Sequence, residues 1–244
     1  MESHLLLHEQ SGSTYFLLYT AAVILLLALI SYWYASKWNK ENTSSLKKEQ
    51  KAAIRKKTKK MKVAAHLLLS LSIIVVIVHF GRDLTKSYNV NDLNMKAEIN
   101  VNEDTYYGAD HTDDPVEYEM KIPTSGTHSP HDLKFGFYTE KPANEMLVHN
   151  LEHGDIIIYY RAEADAQVIE LLKYLVNFRE AGAGILAVPS EDIPEGQEVV
   201  VTAWTKTMEL PTFDEAKIAT FIYTYINEGP EKIPAQIRRG GGTM

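Results

Sequence analysis

The chain has no cysteine among its 244 residues. Disulfides, thiolate metal sites and thiol chemistry are therefore excluded, and any folded part is held by its own apolar core. Also missing are a Gly-rich phosphate loop, a serine nucleophile elbow, a dinucleotide fingerprint and any internal repeat. Ahead of the first apolar run stand Glu2 and Glu9 but no Lys or Arg. The positive n-region of a signal peptide is thus absent, and that run reads as a retained span.

What is present is unevenly placed. No charged residue occurs from Gln10 to Ser36 or from Val63 to Gly81. At about 1.5 Å per helical residue, each run is long enough to cross a hydrocarbon core of roughly 30 Å. Tyr15, Phe16 and Tyr19 flank one end of the first run, and Tyr32, Trp33, Tyr34 and Trp38 the other. Aromatic rings with a polar edge favour that interface. Between the runs, residues 36–62 hold eleven Lys/Arg against Glu41 and Glu49. A short basic loop stays cytoplasmic, which places both termini outside. From Asp83 onward there are 28 Asp/Glu and 13 Lys/Arg. The basic stretch at a membrane surface suits anionic lipid, not nucleic acid. The expected partners are the lipid bilayer and other envelope or metal-transport proteins.

The organisation predicted is a short external N-terminus (1–13), transmembrane helices (14–36 and 63–81) and a basic cytoplasmic loop (37–62). An acidic stalk (82–121), an α+β domain (122–236) and a disordered tail (237–244) follow. In the domain, Asn144 to His153 has helical spacing, with Asn144 as a possible cap and Gly154 as the stop. Asp155 to Tyr160, Gly184 to Val188 and Val199 to Thr207 read as strands. Ala164 to Glu180 and Asp214 to Asn227 read as amphipathic helices, the second capped by Thr212 or Asp214. The fold class is α+β: two transmembrane helices, then a small mixed sheet with two amphipathic helices.

Candidate chemistry rests on histidine. His128 and His131 sit on a Pro/Gly-fixed loop, and His149 and His153 lie four apart on one helix face, with Met146 on the same face. Imidazole suits Zn and Cu, and a thioether from Met146 or Met120 would favour copper. The four histidines are the predicted metal ligands. His111, among Asp104, Asp110, Asp113 and Asp114, falls in the stalk and reads as solvated linker. His149-Asn150-Leu151-Glu152-His153 also matches the H-x-x-E-H pattern of inverted zinc peptidases. There Glu152 is the general base, and a third ligand must be found, Glu215 or Glu228. His66 and His79, within the second span, read as interfacial, and His4 and His8 could form only a weak external site.

Several blocks resemble those of a bacterial family catalogued as domain of unknown function 3105. They are Pro123 to His128, Gly136 to Tyr138, Leu147 to Gly154, Val201 to Trp204, Phe213 to Glu215 and Gly229 to Glu231. The resemblance runs from about Ile122 to Pro234, with the blocks in family order. Two departures are the extra first span and Thr127, where family members often carry Pro. The resemblance implies that His128, His149, Glu152 and His153 belong to the family motif, with Tyr138 and Met146 as auxiliary candidates. It implies no activity. The expected function is an extracytoplasmic metal-binding module, copper before zinc, that buffers, delivers or senses the ion. A zinc-dependent hydrolase and a non-catalytic envelope interaction domain are the alternatives.

Overall fold

The computed structural model describes residues 5–41, 47–84, 87–238 and 240–242. The chain forms two compact units, Glu2–Ser87 and Tyr88–Met244.

The first unit is a pair of helices, α1 (Leu5–Glu41) and α2 (Lys48–Leu84). Ser72 Oγ donates to the Ala21 carbonyl at 3.0 Å, His66 stands 6.0 Å from Tyr32, and Lys57 Nζ lies over Trp38. Contacts that fall along one helix as they rise along the other make the pair antiparallel. Ala21, Ala28 and Ala35 are buried on α1, and Thr58, Ala65, Ser72 and His79 on α2. Seven-residue spacing keeps each set on one face, and small side chains let two backbones approach closely. Within these helices Phe16–Trp38 and Lys48–Gly81 are long and apolar enough to cross a membrane. Most of the stretch expected as a basic loop is helical, because α2 already begins at Lys48. His66 bonds the Lys62 carbonyl of its own helix and His79 lies on the seam. His4 and the side chain of His8 lie outside the described residues.

The second unit is built on a mixed six-stranded sheet. Its elements are β1 (Asn102–Glu103), β2 (Gly136–Phe137), α3 (Asn144–Glu152), β3 (Ile156–Tyr160), α4 (Ala166–Leu175), β4 (Ile185–Pro189), β5 (Val199–Ala203), β6 (Lys206–Leu210) and α5 (Glu215–Tyr225). The strand order is β1-β6-β5-β3-β4-β2. The pairs β3–β4 and β4–β2 are parallel, and β3–β5, β5–β6 and β6–β1 are antiparallel. Every residue of β3 is buried, as a central strand covered on both faces requires. Ile157 and Tyr159 pack with Leu186, Val188 and Val200 against Leu147 and Leu151 of α3. Their alternates, Ile156, Ile158, Ile185 and Val201, point the other way and are equally buried. On that side α4 and α5 supply Leu171, Leu172, Leu175, Ile218, Phe221 and Ile222.

Four local expectations change. Val199 to Thr207 is two strands: Thr205, with φ +56°, turns the chain at Trp204-Thr205. Asn144 is the first residue of α3, which starts after Ala143 with no side-chain cap, whereas Asp214 caps α5 by accepting from the Lys217 amide. Residues 88–121 are not a free stalk. Val90 and Leu93 are buried, β1 extends the sheet, and Asp104 accepts from Thr124 and Thr207. The tail is also tied down. Arg238 is buried and bonds Asp155 through two nitrogens (2.8 and 2.6 Å) and Asp132 through a third (2.6 Å). Charge pairing with two distant aspartates left no apolar periodicity for sequence reading to find.

The end of α3 is held by close backbone contact. Gly154 takes φ +82°, its carbonyl accepts from the Asn227 amide, and Glu231 N–H donates to the Glu152 carbonyl. A Cβ on Gly229 would come within 2.2 Å of the Glu152 carbonyl oxygen. Gly229→Ala is therefore expected to destabilise the domain by about 1–3 kcal/mol, an overpacking cost read from chemical denaturation. No change in midpoint would show that this segment yields freely.

Candidate metal centre

α3 presents His149 and Glu152 three residues apart, hence on neighbouring positions of one face. The chain before the domain supplies the rest. Residues 108–112 run beside 126–128: Gly126 N–H donates to the Gly108 carbonyl, His128 N–H to Asp110 and Thr112 N–H to His128. This pairing sets His111 next to His128. The loop is fastened to α3 by Val116 N–H on the Glu145 carboxylate and Ser129 N–H on the Glu145 carbonyl. Asn150 fixes the following turn, bonding both backbone groups of Leu133 and the carboxylate of Asp155.

The result is a cluster of His111, His128, His149 and Glu152, whose ligand atoms all lie within 4.8 Å of one another. The rings of His111, His128 and His149 are 4.6, 5.1 and 5.2 Å apart by centroid. His128, His149 and Glu152 are buried, while the His111 side chain is 44 % exposed and forms the open side. His128 Nδ1 lies 2.7 Å from the Gly126 carbonyl and so carries a proton, which leaves Nε2 facing Glu152 Oε2 at 3.0 Å. That nitrogen either holds a second proton and donates to the carboxylate, or shares a cation with it. His149 is the clearer case: both ring nitrogens are buried and neither has a hydrogen-bond partner among the described residues. Such atoms are costly unless something satisfies them.

The electrostatics agree. Burial, then the neighbouring His153, His128 and His111, push His149 down to about 4, so it is neutral at pH 7 with a lone pair available. Burial acts to raise the Glu152 carboxyl, but His128 and the other imidazoles hold it below its ordinary value. A pH dependence follows. Between about 6.5 and about 4 the unfolded chain protonates His149 and the folded protein does not. Metal-free protein is thus expected to lose stability as pH falls through that window, by at most roughly 3 kcal/mol from this group. Denaturant midpoints at pH 7 and pH 4.5 check this; His149→Leu should flatten that part of the profile.

His153 forms a second, adjoining group with Glu152 and Glu231, again within 4.8 Å. Of the four predicted ligands, then, His128 and His149 share one cluster and His153 belongs to its neighbour. His131 is exposed and joins neither. Its backbone N–H donates to Ser129 Oγ, in a turn that leaves the side chain at the surface. Glu215 and Glu228 also lie outside both groups among the described residues. Tyr138 is structural: its hydroxyl donates to the Lys134 carbonyl and its own carbonyl accepts from Tyr160. Two residues were missed. His111 reads as linker in the sequence, and Glu231 enters there only within the Gly229 to Glu231 block.

A family model described as "Protein of unknown function (DUF3105)" matches residues 110–237, a span that begins one residue before His111. No curated protein and no solved structure matches the chain.

Proposed function

The chain belongs to the DUF3105 family, and because that family's description assigns no activity we propose from the site itself that the protein is a membrane-anchored module binding a divalent transition-metal ion. The observation that carries this is His149, whose two buried nitrogens have no hydrogen-bond partner inside a ring of imidazoles and a carboxylate. His111, His128 and His149 supply nitrogen and Glu152 oxygen. This donor set suits Cu(II) and Zn(II), and the general affinity order puts copper first. The imidazole and carboxylate donors on these groups favour a divalent ion over Cu(I), which prefers sulfur ligands.

His128 is pre-oriented by its bond to Gly126, as metal-ligating histidines usually are by their second nitrogen. His111, half-exposed, is the ligand that can swing to admit or release an ion, a property that buffering, delivery or sensing needs. The basic stretch between the helices argues for a cytoplasmic turn and an extracytoplasmic domain.

The zinc-peptidase reading fares less well. It requires His149 and His153 on one ion with Glu152 held off it as base. Here Glu152 stands among the first cluster's ligands, and His153 groups with Glu231.

The test is metal content and titration of the full-length chain in detergent with Cu(II) and Zn(II). One tightly held ion is expected at this cluster, with His111→Ala weakening it about 10-fold or more while leaving unfolding of the metal-free protein nearly unchanged. No stoichiometric metal would sink the reading and leave an interaction domain with a histidine-lined seam.

A further inference from the structure

We propose that a second divalent cation binds beside the first, held by His153, Glu231 and Glu152, with the Glu152 carboxylate bridging the two ions. The inference rests on the first site being a metal site, and deepens it.

His153 is the residue that calls for it. It caps the end of α3, its side chain is fully buried, and neither ring nitrogen has a hydrogen-bond partner among the described residues. Nε2 is 3.5 Å from Glu231 Oε2, and Nδ1 is 3.7 Å from Asp132 Oδ2. Both separations exceed a direct hydrogen bond. The Nε2–Glu231 gap is the spacing of two ligands converging on one ion. On the other side, Asp132 is held in place by Arg238 at 2.6 Å and gives His153 Nδ1 a carboxylate to orient it. Glu231 comes from the far end of the domain but is not there by accident. Its amide donates to the Glu152 carbonyl, and the glycine two residues before it permits the approach.

The two groups share Glu152. The His149 and His153 rings are 4.3 Å apart and nearly perpendicular, so the two clusters adjoin without a wall between them. A carboxylate has two oxygens, and carboxylate-bridged ions commonly sit about 3.5–4 Å apart. The first site is rich in imidazole. The second has one imidazole and two carboxylates, a harder donor set that suits Zn(II), Mn(II) or Fe(II). Glu231, with its side chain 49 % exposed, forms its open edge.

The full-length protein in detergent is loaded with Zn(II), freed of excess, and analysed for ions per chain. A parallel sample loaded with Cu(II) is read by electron paramagnetic resonance. Two ions per chain and a spin-coupled Cu(II) spectrum are expected. Glu231→Gln, a change on an exposed side chain, should weaken the second binding step about 10–100-fold and return the spectrum of an isolated ion, with the first step unaltered. His153→Gln should do the same. One ion per chain in the unaltered protein overturns the second site and leaves the first standing. Two ions that survive Glu231→Gln and His153→Gln with no coupling also overturn it, since the second ion then sits elsewhere. Zero ions overturns both readings.

Discussion

Replacing His149 by leucine is expected to make the metal-free protein more stable while abolishing metal affinity at the His111–His128–His149–Glu152 cluster. The two buried nitrogens of His149 have no partner. An unsatisfied buried polar atom costs about 1–3 kcal/mol, and leucine fills a similar space without one. A net gain of about 1–2 kcal/mol is expected after the lost ring contacts, or several degrees in melting temperature. Metal affinity should fall at least 100-fold, because losing residues that merely orient a ligand already costs about 10–100-fold. The unaltered protein should gain roughly 3 kcal/mol from the ion at the first cluster when it stands at a hundred times its dissociation constant, and the variant should lose that part of the gain. Thermal unfolding of the full-length chain with and without Zn(II) reads both quantities. A variant that melts lower and gains as much from zinc as the unaltered protein would show that His149 is a packing residue. Leu147→Ala, two residues earlier and fully buried, is the contrast: it should cost about 2–5 kcal/mol and leave the ligands in place.

The second large effect lies at Arg238. Its guanidinium is buried with Asp132 and Asp155, all three side chains having no exposure. Burial acts to lower the Arg238 pKa, but the two carboxylates raise it on balance, so the charge is retained. Burial acts the opposite way on Asp132, whose carboxyl is nevertheless held well below its usual range by His153 and Arg238. Removing one member of such a set leaves uncompensated buried charge, a loss of about 3–5 kcal/mol. Arg238→Met keeps the apolar stem and removes the guanidinium with its charge and donors, so denaturation midpoints should fall by that amount at pH 7. The deficit should narrow toward pH 4, because in the variant Asp132 and Asp155 protonate more readily folded than unfolded. A deficit independent of pH would mean that lost packing on Phe135, 5.0 Å from the guanidinium, is the real cause.

Both predictions concern residues of different legibility. The H-x-x-E-H spacing put His149, Glu152 and His153 on one short helix, and the structure keeps them there. It could not say that they serve two adjoining clusters, because helical spacing fixes a face and not what faces it. His131 looked as good a ligand as His128 in the sequence; backbone pairing with residues 110–112 is what turned one inward. His111 and Arg238 lie in polar stretches without periodicity, where sequence offers no signal of burial. Their placement depends on partners far along the chain: His128 for His111, Asp132 and Asp155 for the buried Arg238.

The sequence by itself determined what depends on local pattern and charge: two apolar runs, a basic stretch between them, an acidic domain without cysteine, and helices and strands alternating in order. These follow from hydrophobic period and length, which neighbouring residues set among themselves. Only the tertiary structure decided which polar residues meet. Strand order, the docking of 88–121 and of the tail, and the convergence of His111, His128, His149 and Glu152 all rest on long-range backbone bonds and buried charge pairs. Such contacts leave no periodic trace in the sequence, because the partners are specified by the packed sheet and not by their spacing.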